Sequence, residues 1–411
     1  MYLKCVDLQT EELNKGKTGM ENVIYLDNAA TTFPKSECVY ERMNQVNRTC
    51  AVNSGRGAYG LAAQAASILK DTREQLLKLA GAEKVAEVVF TASATLASNQ
   101  IFGGITWNKE DVVYVSPFEH NAIMRVLHKH QKELGFEIEE LALDEKSLEL
   151  DLEKIHFQFI RKKPDYVVMS HVSNVTGYIL PIQEVAQMAK EQNALVVVDG
   201  AQALGLIPIS LKHLPVDFYI FAGHKTLCGA FGVGGYIKNS SYQLKPFLAG
   251  GTGSDSLNLN MPDSAPEAFE PGSPNIVAIA GLQASIEELR SIIEKEGNPA
   301  YFLETEQELT EDMVEKLQRI GEVELYLPQN RKYHAGIIAF NIAGLKAADV
   351  GMILDQDYNI AVRTGHQCAP LISKYLHNED YAGVVRASVG RFTTKEEIDT
   401  FVRAVREIAE G

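Results

Sequence analysis

Two residues of this chain, a carboxylate and a lysine, stand where a cofactor could bind between them. Asp199 follows the apolar run 194–198 directly, and Lys225 follows the next run, 218–221, in the sequence Gly-His-Lys. A lysine amine can form a Schiff base with an aldehyde, while a carboxylate can keep a ring nitrogen protonated. The pair therefore suits pyridoxal 5'-phosphate. For either residue alone, a helix cap or a solvated loop lysine is the simpler interpretation.

A phosphate group needs a cradle, and the residues after the apolar run 85–90 could supply one. Ser93, Ala94 and Thr95 are small or carry hydroxyls, and they stand where a helix would begin. Free N–H groups and the helix dipole favour an anion there. Such residues also cap ordinary helices, so this signal gains weight only beside Asp199 and Lys225. His120, after the run 112–115, could stack on a planar ring and relay protons, although a lone histidine is more often structural.

The elements that must position these residues follow an α/β pattern. Short, continuous apolar runs predict strands buried on both faces. These runs are 85–90, 112–115, 137–141, 166–170, 194–198, 218–221 and 234–237. Between them, one helical face carries Ile182, Val185, Ala186 and Ala189, and another carries Ala65, Ile68, Leu69, Thr72 and Leu76. We expect a mostly parallel sheet covered by helices, whose ligand lies beyond the carboxyl ends of the strands.

A second, smaller domain is predicted after a turn-rich connection. Glycines at 250, 251 and 253 and prolines at 262, 266, 271 and 274 separate the two regions. The pattern of the second region indicates an α+β domain. It predicts helices at 276–294 and 302–320, strands at 323–327 and 337–342, and a last helix that begins with Thr394 and Glu397 at capping-box spacing. We predict a large domain over 21–270, a small C-terminal domain over 271–411 and an N-terminal extension over 1–20.

Composition narrows the class of protein. The 411 residues are 45% hydrophobic and 23% charged, as in soluble globular proteins. A net charge of −15 disfavours nucleic acid and anionic membranes as partners. Five widely spaced cysteines without a CxxC motif disfavour a disulfide framework and a metal site. No apolar run is long enough to be a signal peptide or a membrane span. We expect a cytoplasmic protein.

Eight short motifs occur along the chain in a fixed order. They are YLDNAATT at 25–32, EH at 119–120, SNVTG at 173–177, DGAQ at 199–202, GHK at 223–225, GSPN at 272–275, RTGHQCA at 363–369 and VRAS at 385–388. In this set the chain resembles the class V aminotransferase family of pyridoxal-phosphate enzymes of fold type I, and within it the cysteine desulfurase and selenocysteine lyase group. The resemblance extends from about residue 24 to the C-terminus. It implies a large domain with a mostly parallel sheet plus a smaller α+β C-terminal domain.

The resemblance also implies roles for individual residues. For the cofactor ring, it implies a Schiff base at Lys225, a partner for the pyridine nitrogen at Asp199, stacking by His120 and a hydrogen bond from Gln202 to the phenolic oxygen. For the phosphate, it implies contacts from the 93–95 turn, above all from Thr95. It also implies phosphate contacts from His224 and from Ser273 of a second subunit. For the substrate, it implies a carboxylate clamp at Arg386, and it implies that Asn174 contacts both the cofactor ring and the substrate. A homodimer is therefore expected.

The sulfur chemistry would depend on Cys368. In the group that the chain resembles, a cysteine thiolate attacks the sulfur of a cysteine substrate, which leaves a persulfide and alanine. Arg363 and His366 are near enough in sequence to lower the pKa of the thiol. Arg363 could also help to bind the substrate. A single cysteine can instead be a small buried hydrophobic residue.

Three functions stay open from the sequence. The leading one is a cysteine desulfurase or selenocysteine lyase, whose physiological sulfur acceptor could be a protein that docks at the short Cys368 loop. The second is another class V aminotransferase or C–S lyase, for which Cys368 would be dispensable. The third, a non-catalytic sulfur-relay scaffold, is disfavoured by the intact set of Lys225, Asp199 and His120.

The chain departs from its relatives at three places. Ala222 stands where relatives usually carry a hydroxyl that donates to the phosphate, and Leu96 stands where they usually carry a glutamate. The 55–59 segment, which ends at Tyr59, replaces a more histidine-rich version. These departures bear on cofactor affinity and on the choice of substrate.

Overall fold

The structure is a computed structural model that describes residues 23–55, 57–253 and 257–411. The predicted N-terminal extension and Cys5 lie outside these residues. The first part of the chain forms β1 (Ile24–Tyr25), α1 (Glu37–Thr49), α2 (Gly60–Leu79), β2 (Glu87–Thr91), α3 (Ala94–Gly104), β3 (Val112–Val115), α4 (Asn121–Leu134), β4 (Glu137–Glu140), β5 (Leu143–Asp144), β6 (Glu149–Leu150), α5 (Leu152–Arg161), β7 (Tyr166–Ser170), α6 (Ile182–Glu191), β8 (Leu195–Asp199), β9 (Phe218–Ala222) and β10 (Gly234–Lys238).

The remaining elements follow a long irregular connection. They are α7 (Ile276–Glu296), α8 (Tyr301–Leu317), β11 (Val323–Tyr326), β12 (Ile337–Ile342), α9 (Ala347–Tyr358), β13 (Ile360–Ala361), β14 (Arg363–Gly365), α10 (Ser373–Leu376), β15 (Val384–Ser388) and α11 (Lys395–Glu410). The predicted capping box is confirmed, because Thr394 accepts from the Glu397 backbone and Glu397 from that of Thr394.

A seven-stranded sheet dominates the fold, in the order β2-β10-β9-β8-β7-β3-β4. Only β10 runs antiparallel to its neighbours, and the other strands run in one direction. All seven apolar runs predicted as strands contribute to it, with ends displaced by a residue or two. Both of its faces are buried, as continuous apolar strands require. The α/β class with a mostly parallel sheet is confirmed.

Helices cover the sheet through the apolar faces that their sequences predict. Ile182, Val185, Ala186 and Ala189 of α6 are all buried, and so are the five predicted positions of α2. Helix α7 packs against α1 and α2, so it joins the large core although it lies beyond residue 270. The division of the chain at residue 270 stays a prediction.

A second sheet, in the order β11-β12-β15-β14, is antiparallel and packs on α8, α9 and α11. Near the start of the described chain, β1 pairs with β13 beside this sheet, and Asp27 forms an isolated bridge with Ser388. The 25–32 motif is thereby held next to the end of β15. None of the described helices is long and apolar enough to cross a membrane.

Candidate active site

The carboxyl ends of the parallel strands bring the predicted cofactor residues to one edge of the large sheet. Asp199 is the last residue of β8, and its Oδ1 accepts from the N–H of Ala201 at 3.0 Å. Burial raises the pKa of Asp199, while the charge of Lys225 opposes this. Because opposite charges stabilise each other in a buried site, the carboxylate form of Asp199 depends on a cation in front of it.

Lys225 lies in the turn after β9, and its ammonium makes no hydrogen bond or ion pair with the described residues. Burial, together with the cations Arg386 and Arg363, lowers its pKa to about 8, although Asp199 opposes the shift. About a tenth of this amine is therefore neutral at pH 7, far more than for a lysine with the ordinary pKa of 10.5. A neutral amine is the nucleophile that Schiff-base formation requires.

His120 caps the N-terminus of α4. Its Nδ1 accepts from the N–H of Ala122 at 3.0 Å, which leaves the proton on Nε2. Burial lowers the pKa of His120 to about 4, and Lys225 and Arg363 lower it as well. The imidazole is therefore neutral and fixed in orientation beside Lys225. Its stacking on a cofactor ring stays a prediction.

The phosphate residues meet where α3 begins. Ser93 caps the helix by accepting from the N–H of Leu96 at 3.2 Å, and its hydroxyl hydrogen stays available as a donor. The exposed Thr95 hydroxyl has no partner among the described residues, and the buried Nδ1 of His224 has none either. Both side chains can still donate to an anion. Phe231 stacks on the His224 ring at 4.5 Å between centroids.

Ser273 lies apart from this cradle within the chain. It is exposed, and its Oγ accepts from Asn53 Nδ2 at 3.2 Å. In the described part of the chain, no hydrogen bond joins Ser273 to Thr95 or His224. Its predicted contact with phosphate would therefore have to be made in a second subunit, and that role stays a prediction.

Two amide side chains connect the cofactor residues to other parts of the site. Gln202 donates from Nε2 to the carbonyl of Ala29 at 2.7 Å, so one of its two N–H groups is committed. Asn174 donates from Nδ2 to the carbonyl of Gln367 at 2.7 Å and links the end of β7 to the loop of Cys368. Their predicted contacts with cofactor and substrate stay predictions.

Arg386 is buried in the middle of β15. One guanidinium nitrogen, Nη2, lies 2.6 Å from Oδ1 of Asp27, and Nη1 donates to the carbonyl of Asn174 at 2.9 Å. Its Nε is buried without a partner. The guanidinium that the sequence predicts as a carboxylate clamp therefore already carries one carboxylate, that of Asp27.

The loop of Cys368 is rigid. Gln367 and Cys368 both have left-handed backbone conformations, with φ of 49° and 57°. Non-glycine residues adopt this conformation at a cost that surrounding contacts must offset. The Gln367 side chain donates to the carbonyls of Arg363, Gly365 and Val384 within 3.4 Å, and the carbonyl of Cys368 accepts from Asn121 at 2.7 Å.

Of the two predicted neighbours of the thiol, only Arg363 lies beside it. Its Nη2 is 3.5 Å from Sγ of Cys368. His366 is exposed and lies 3.3 Å from the hydroxyl of Ser373 instead, so it makes no contact with the thiol.

Several buried polar residues of the site carried no functional prediction. Glu119 has no exposed surface; it accepts at Oε1 from Ser116 and Ser170, both at 2.5 Å, and burial raises its pKa to about 8. His171 and Tyr219 are hydrogen-bonded at 2.8 Å behind Asp199. Sequence spacing gives no signal for these contacts, although Glu119 belongs to the EH motif and Asp27 to the YLDNAATT motif.

The residues present fit pyridoxal phosphate. Lys225 and Asp199 influence each other electrostatically and form no ion pair among the described residues, so both charged groups remain available to a ligand. The unpartnered Nδ1 of His224 and the hydroxyl of Thr95 suit a phosphate at the start of α3. The donor set therefore matches the aldehyde, the ring nitrogen and the phosphate of this cofactor.

Comparison with known proteins agrees with this geometry. The family model for class-V aminotransferases matches residues 24–401. A probable cysteine desulfurase of Pyrococcus abyssi is 32% identical over 98% of both chains, and a cysteine desulfurase of Shigella sonnei is 33% identical over 93% of both.

Solved structures give the same result for the fold. The apo cysteine desulfurase of Thermococcus onnurineus superposes with a TM-score of 0.86 at 31% identity, and the match covers 95% of both chains. The cysteine desulfurase CsdA of Escherichia coli superposes with a TM-score of 0.82 at 26% identity, over 94% of this chain and 95% of its own. The expected fold type is confirmed.

Proposed function

This chain belongs to the class-V aminotransferase family, and from that premise we infer that it is a pyridoxal-phosphate-dependent cysteine desulfurase. The observation that carries the inference is the position of Cys368. Its thiol lies 3.5 Å from Arg363, in a loop tied to Asn174 and near enough to Lys225 to influence its charge. A transaminase needs no thiol at that point, whereas transfer of sulfur from cysteine to the protein, with alanine as the other product, needs one.

The cofactor would be held by residues that the site already orients. Lys225 would bind its aldehyde, Asp199 would face the ring nitrogen, and His120 would lie against the ring. Thr95, His224 and the first N–H groups of α3 would bind the phosphate, and Gln202 would donate to the phenolic oxygen. When bound, pyridoxal phosphate supplies an electron sink that stabilises negative charge on the substrate.

The protein residues divide the remaining work. Arg386 and Arg363 provide the positive charge for the substrate carboxylate, and Asn174 can contact the substrate through its free amide oxygen. Lys225, once released from the aldehyde, is the amine that can take the α-proton, since its lowered pKa makes it a base near neutral pH. Neutral His120 has Nε2–H available as a proton donor.

Sulfur would then pass to Cys368. The thiolate attacks the sulfur of the substrate; a sulfur–sulfur bond forms as the carbon–sulfur bond breaks, and the carbon accepts a proton to give alanine. The positively charged guanidinium of Arg363 lies 3.5 Å from this sulfur. The product on the protein is a persulfide on Cys368.

Transfer of the persulfide requires an acceptor that reaches the site. The Cys368 loop is fixed by hydrogen bonds at Gln367, Asn174 and Asn121, so the sulfur cannot travel far on a moving loop. We infer that a thiol of a small molecule or of an acceptor protein approaches Cys368. The reaction belongs in a reducing compartment such as the cytoplasm, where Cys368 stays a free thiol.

A homodimer is part of the proposal. Leu257 and Leu259 are almost fully exposed, and Tyr59 and Phe231 expose more than half of their surface. Leu257 and Leu259 lie in the connection that leads to Ser273, and Phe231 stacks on His224. Exposed apolar side chains of this size favour burial against another chain. A second copy would bury them and bring its Ser273 to the phosphate.

The proposal is tested by supplying cysteine to the loaded protein with a reductant and measuring sulfide and alanine together. A desulfurase releases both in equal amounts. Keto acid with no sulfide would indicate the aminotransferase alternative, and pyruvate with sulfide would indicate a different C–S lyase. No product from any amino acid would favour the non-catalytic scaffold. Selenocysteine, tested in parallel, ranks the two substrates.

A further inference from the structure

We propose that Asp27 is the fixed counter-ion of Arg386, and that this pair restricts the substrate site to molecules with a single carboxylate. Asp27 would be a positioning residue, since it acts through the guanidinium of Arg386. The proposal rests on the proposed function for the identity of the substrate, but it concerns the anion that the site accepts and can be tested by binding alone.

Two arginines face each other at this site. Arg363 of β14 and Arg386 of β15 are direct partners in the antiparallel register. The Cβ atoms of such partners lie about 5 Å apart and on the same face of the sheet. Arg386 donates to the carbonyl of Asn174, whose side chain is hydrogen-bonded to the Cys368 loop, and Arg363 contacts Cys368 itself, so both guanidinium groups border this loop. Two like charges at this separation are unfavourable without a nearby anion.

Asp27 neutralises only one of them. Its Oδ1 lies 2.6 Å from Nη2 of Arg386, whose side chain is almost fully buried. Arg363 forms no ion pair with a carboxylate in the described residues, and its guanidinium contacts the sulfur of Cys368. While Cys368 is a neutral thiol, the two guanidinium groups and the one carboxylate therefore leave a single positive charge.

The position of Asp27 is set by the backbone. The chain at Asp27 bridges to Ser388, Asn28 donates to the carbonyl of Ser388 at 3.1 Å, and the N–H of Ala29 donates to its hydroxyl at 2.9 Å. These bonds hold the carboxylate beside Arg386 without help from a ligand. Asp27 is thus a permanent part of the site.

A substrate carboxylate completes the charge balance. One carboxylate neutralises the charge that remains at Arg363 and Arg386. A second carboxylate on the same molecule would approach Asp27 and would be repelled, since charges a few ångströms apart in a partly buried site interact strongly. The arrangement therefore favours monocarboxylic amino acids over dicarboxylic molecules.

The test measures binding of acetate and malonate to the full chain loaded with cofactor, so that the phosphate cradle is already filled. Binding is followed by thermal shift and by cofactor absorbance. In the wild type, malonate binds no better than acetate. Asp27→Asn keeps a hydrogen-bond acceptor for Arg386 but removes the charge, and it should strengthen malonate binding relative to acetate by about tenfold.

Control variants separate charge from structure. Asp27→Glu keeps the charge and should keep the wild-type preference, and the exposed Asp357→Asn should change nothing. Arg363→Gln removes the unpaired cation and should abolish binding of both anions, which tests the charge count even if Asp27→Asn does not fold. An unchanged malonate-to-acetate ratio in Asp27→Asn, or wild-type anion binding in Arg363→Gln, overturns the proposal whether or not the protein releases sulfide.

With cysteine as substrate, Asp27→Asn should lower kcat more than it raises KM. The substrate carboxylate would still find two cations, but Arg386 would no longer be held in one orientation. Recovery of kcat in Asp27→Glu is expected if the charge is what fixes Arg386. A rise in KM alone, with kcat unchanged, would contradict a positioning role.

Discussion

The guanidinium of Arg363 lies 3.5 Å from Sγ of Cys368. This contact places a positive charge beside the sulfur in a loop that is closed by the side chain of Gln367. A thiolate is stabilised by such a neighbour, and a thiolate is the form that attacks sulfur. The contact thus joins the geometry of the loop to the reaction proposed for the chain.

Cys368→Ala should abolish sulfide release from cysteine and leave the earlier events intact. The residues that bind substrate and remove its α-proton, Lys225 and the arginines, are unchanged in this variant. We therefore expect a cysteine-induced change in cofactor absorbance and exchange of the α-hydrogen with deuterium from solvent, both at near wild-type levels. Selenide release from selenocysteine should decrease less, because the carbon–selenium bond is weaker.

Cys38→Ala is the matched control for this experiment. Cys38 is a partly buried free thiol whose neighbours are Ser36 and Ala284, far from the loop of Cys368 in sequence. The Cys38→Ala variant should release sulfide at the wild-type rate. Undiminished sulfide release by Cys368→Ala would instead support a C–S lyase in which Cys368 only packs.

Arg363→Gln should shift the pH dependence of cofactor binding at Lys225. Burial lowers the pKa of Lys225 to about 8, and Arg363 contributes to that lowering. The neutral amine reacts with the aldehyde, so the rate of covalent cofactor capture by the apo-protein should rise with pH and level off above about 8. Without Arg363 the pKa of Lys225 rises, so the midpoint should move to higher pH.

Borohydride reduction of the loaded protein followed by peptide mapping identifies the lysine concerned. We expect the label on Lys225, and a label on another lysine would remove the basis of the cofactor assignment. Arg48→Gln, on the exposed end of α1, serves as the control and should leave the midpoint unchanged. An identical midpoint in Arg363→Gln would show that this guanidinium does not act on Lys225.

Ala222→Ser should tighten cofactor binding. Ala222 and Gly234 are direct partners in the antiparallel register of β9 and β10, so their Cβ positions share one face. A Cβ on Gly234 would lie 2.8 Å from the N–H nitrogen of Ala94, at the start of α3. A hydroxyl at residue 222 would therefore point toward the proposed phosphate site.

A hydrogen bond to a charged phosphate contributes about 1.5–3 kcal/mol, so the cofactor dissociation constant should decrease roughly tenfold or more. Titration of the apo-protein by fluorescence measures this constant. Ala63→Ser, at an exposed position of α2, is the control and should have no effect. If Ala222→Ser binds the cofactor no better than the wild type, another donor already occupies that position.

Much of the fold could be predicted because the signals are local. Continuous apolar runs gave the seven strands of the large sheet, and the spacing of Thr394 and Glu397 gave the capping box of α11. Residues at strand ends could be assigned to one edge, since parallel strands end together. The order of the strands in the sheet and the antiparallel direction of β10 depend on pairing between distant segments, for which the sequence has no local signal.

The predicted site was incomplete for the same reason. Asp27 and Arg386 are 359 positions apart in the chain, and they meet only because β1 pairs with β13 and the chain bridges to Ser388. His366 and Arg363 were equally plausible neighbours of Cys368 by spacing, but the left-handed backbone at Gln367 and Cys368 turns the thiol toward Arg363. Side-chain direction in such a loop depends on tertiary contacts.

Glu119→Gln should increase the stability of the protein at alkaline pH. Glu119 is fully buried, and its Oε2 has no hydrogen-bond partner. Burial raises its pKa to about 8 from an ordinary value of 4.5, and the nearby Asp199 contributes to the rise. Between these two pH values the folded protein holds a proton that the unfolded chain has lost, so the free energy of unfolding falls as pH rises from 4.5 to 8. Glutamine cannot titrate and removes this decline.

The experiment is urea denaturation of the apo-protein at pH 5 and at pH 9. The difference in unfolding free energy between Glu119→Gln and the wild type should be more favourable to the variant at pH 9 than at pH 5, on the order of a few kcal/mol. Glu133→Gln, an exposed position of α4, should follow the wild type at both. Parallel pH profiles for wild type and Glu119→Gln would show that Glu119 is ionised in the folded protein, with a buried cation or water in place of its proton.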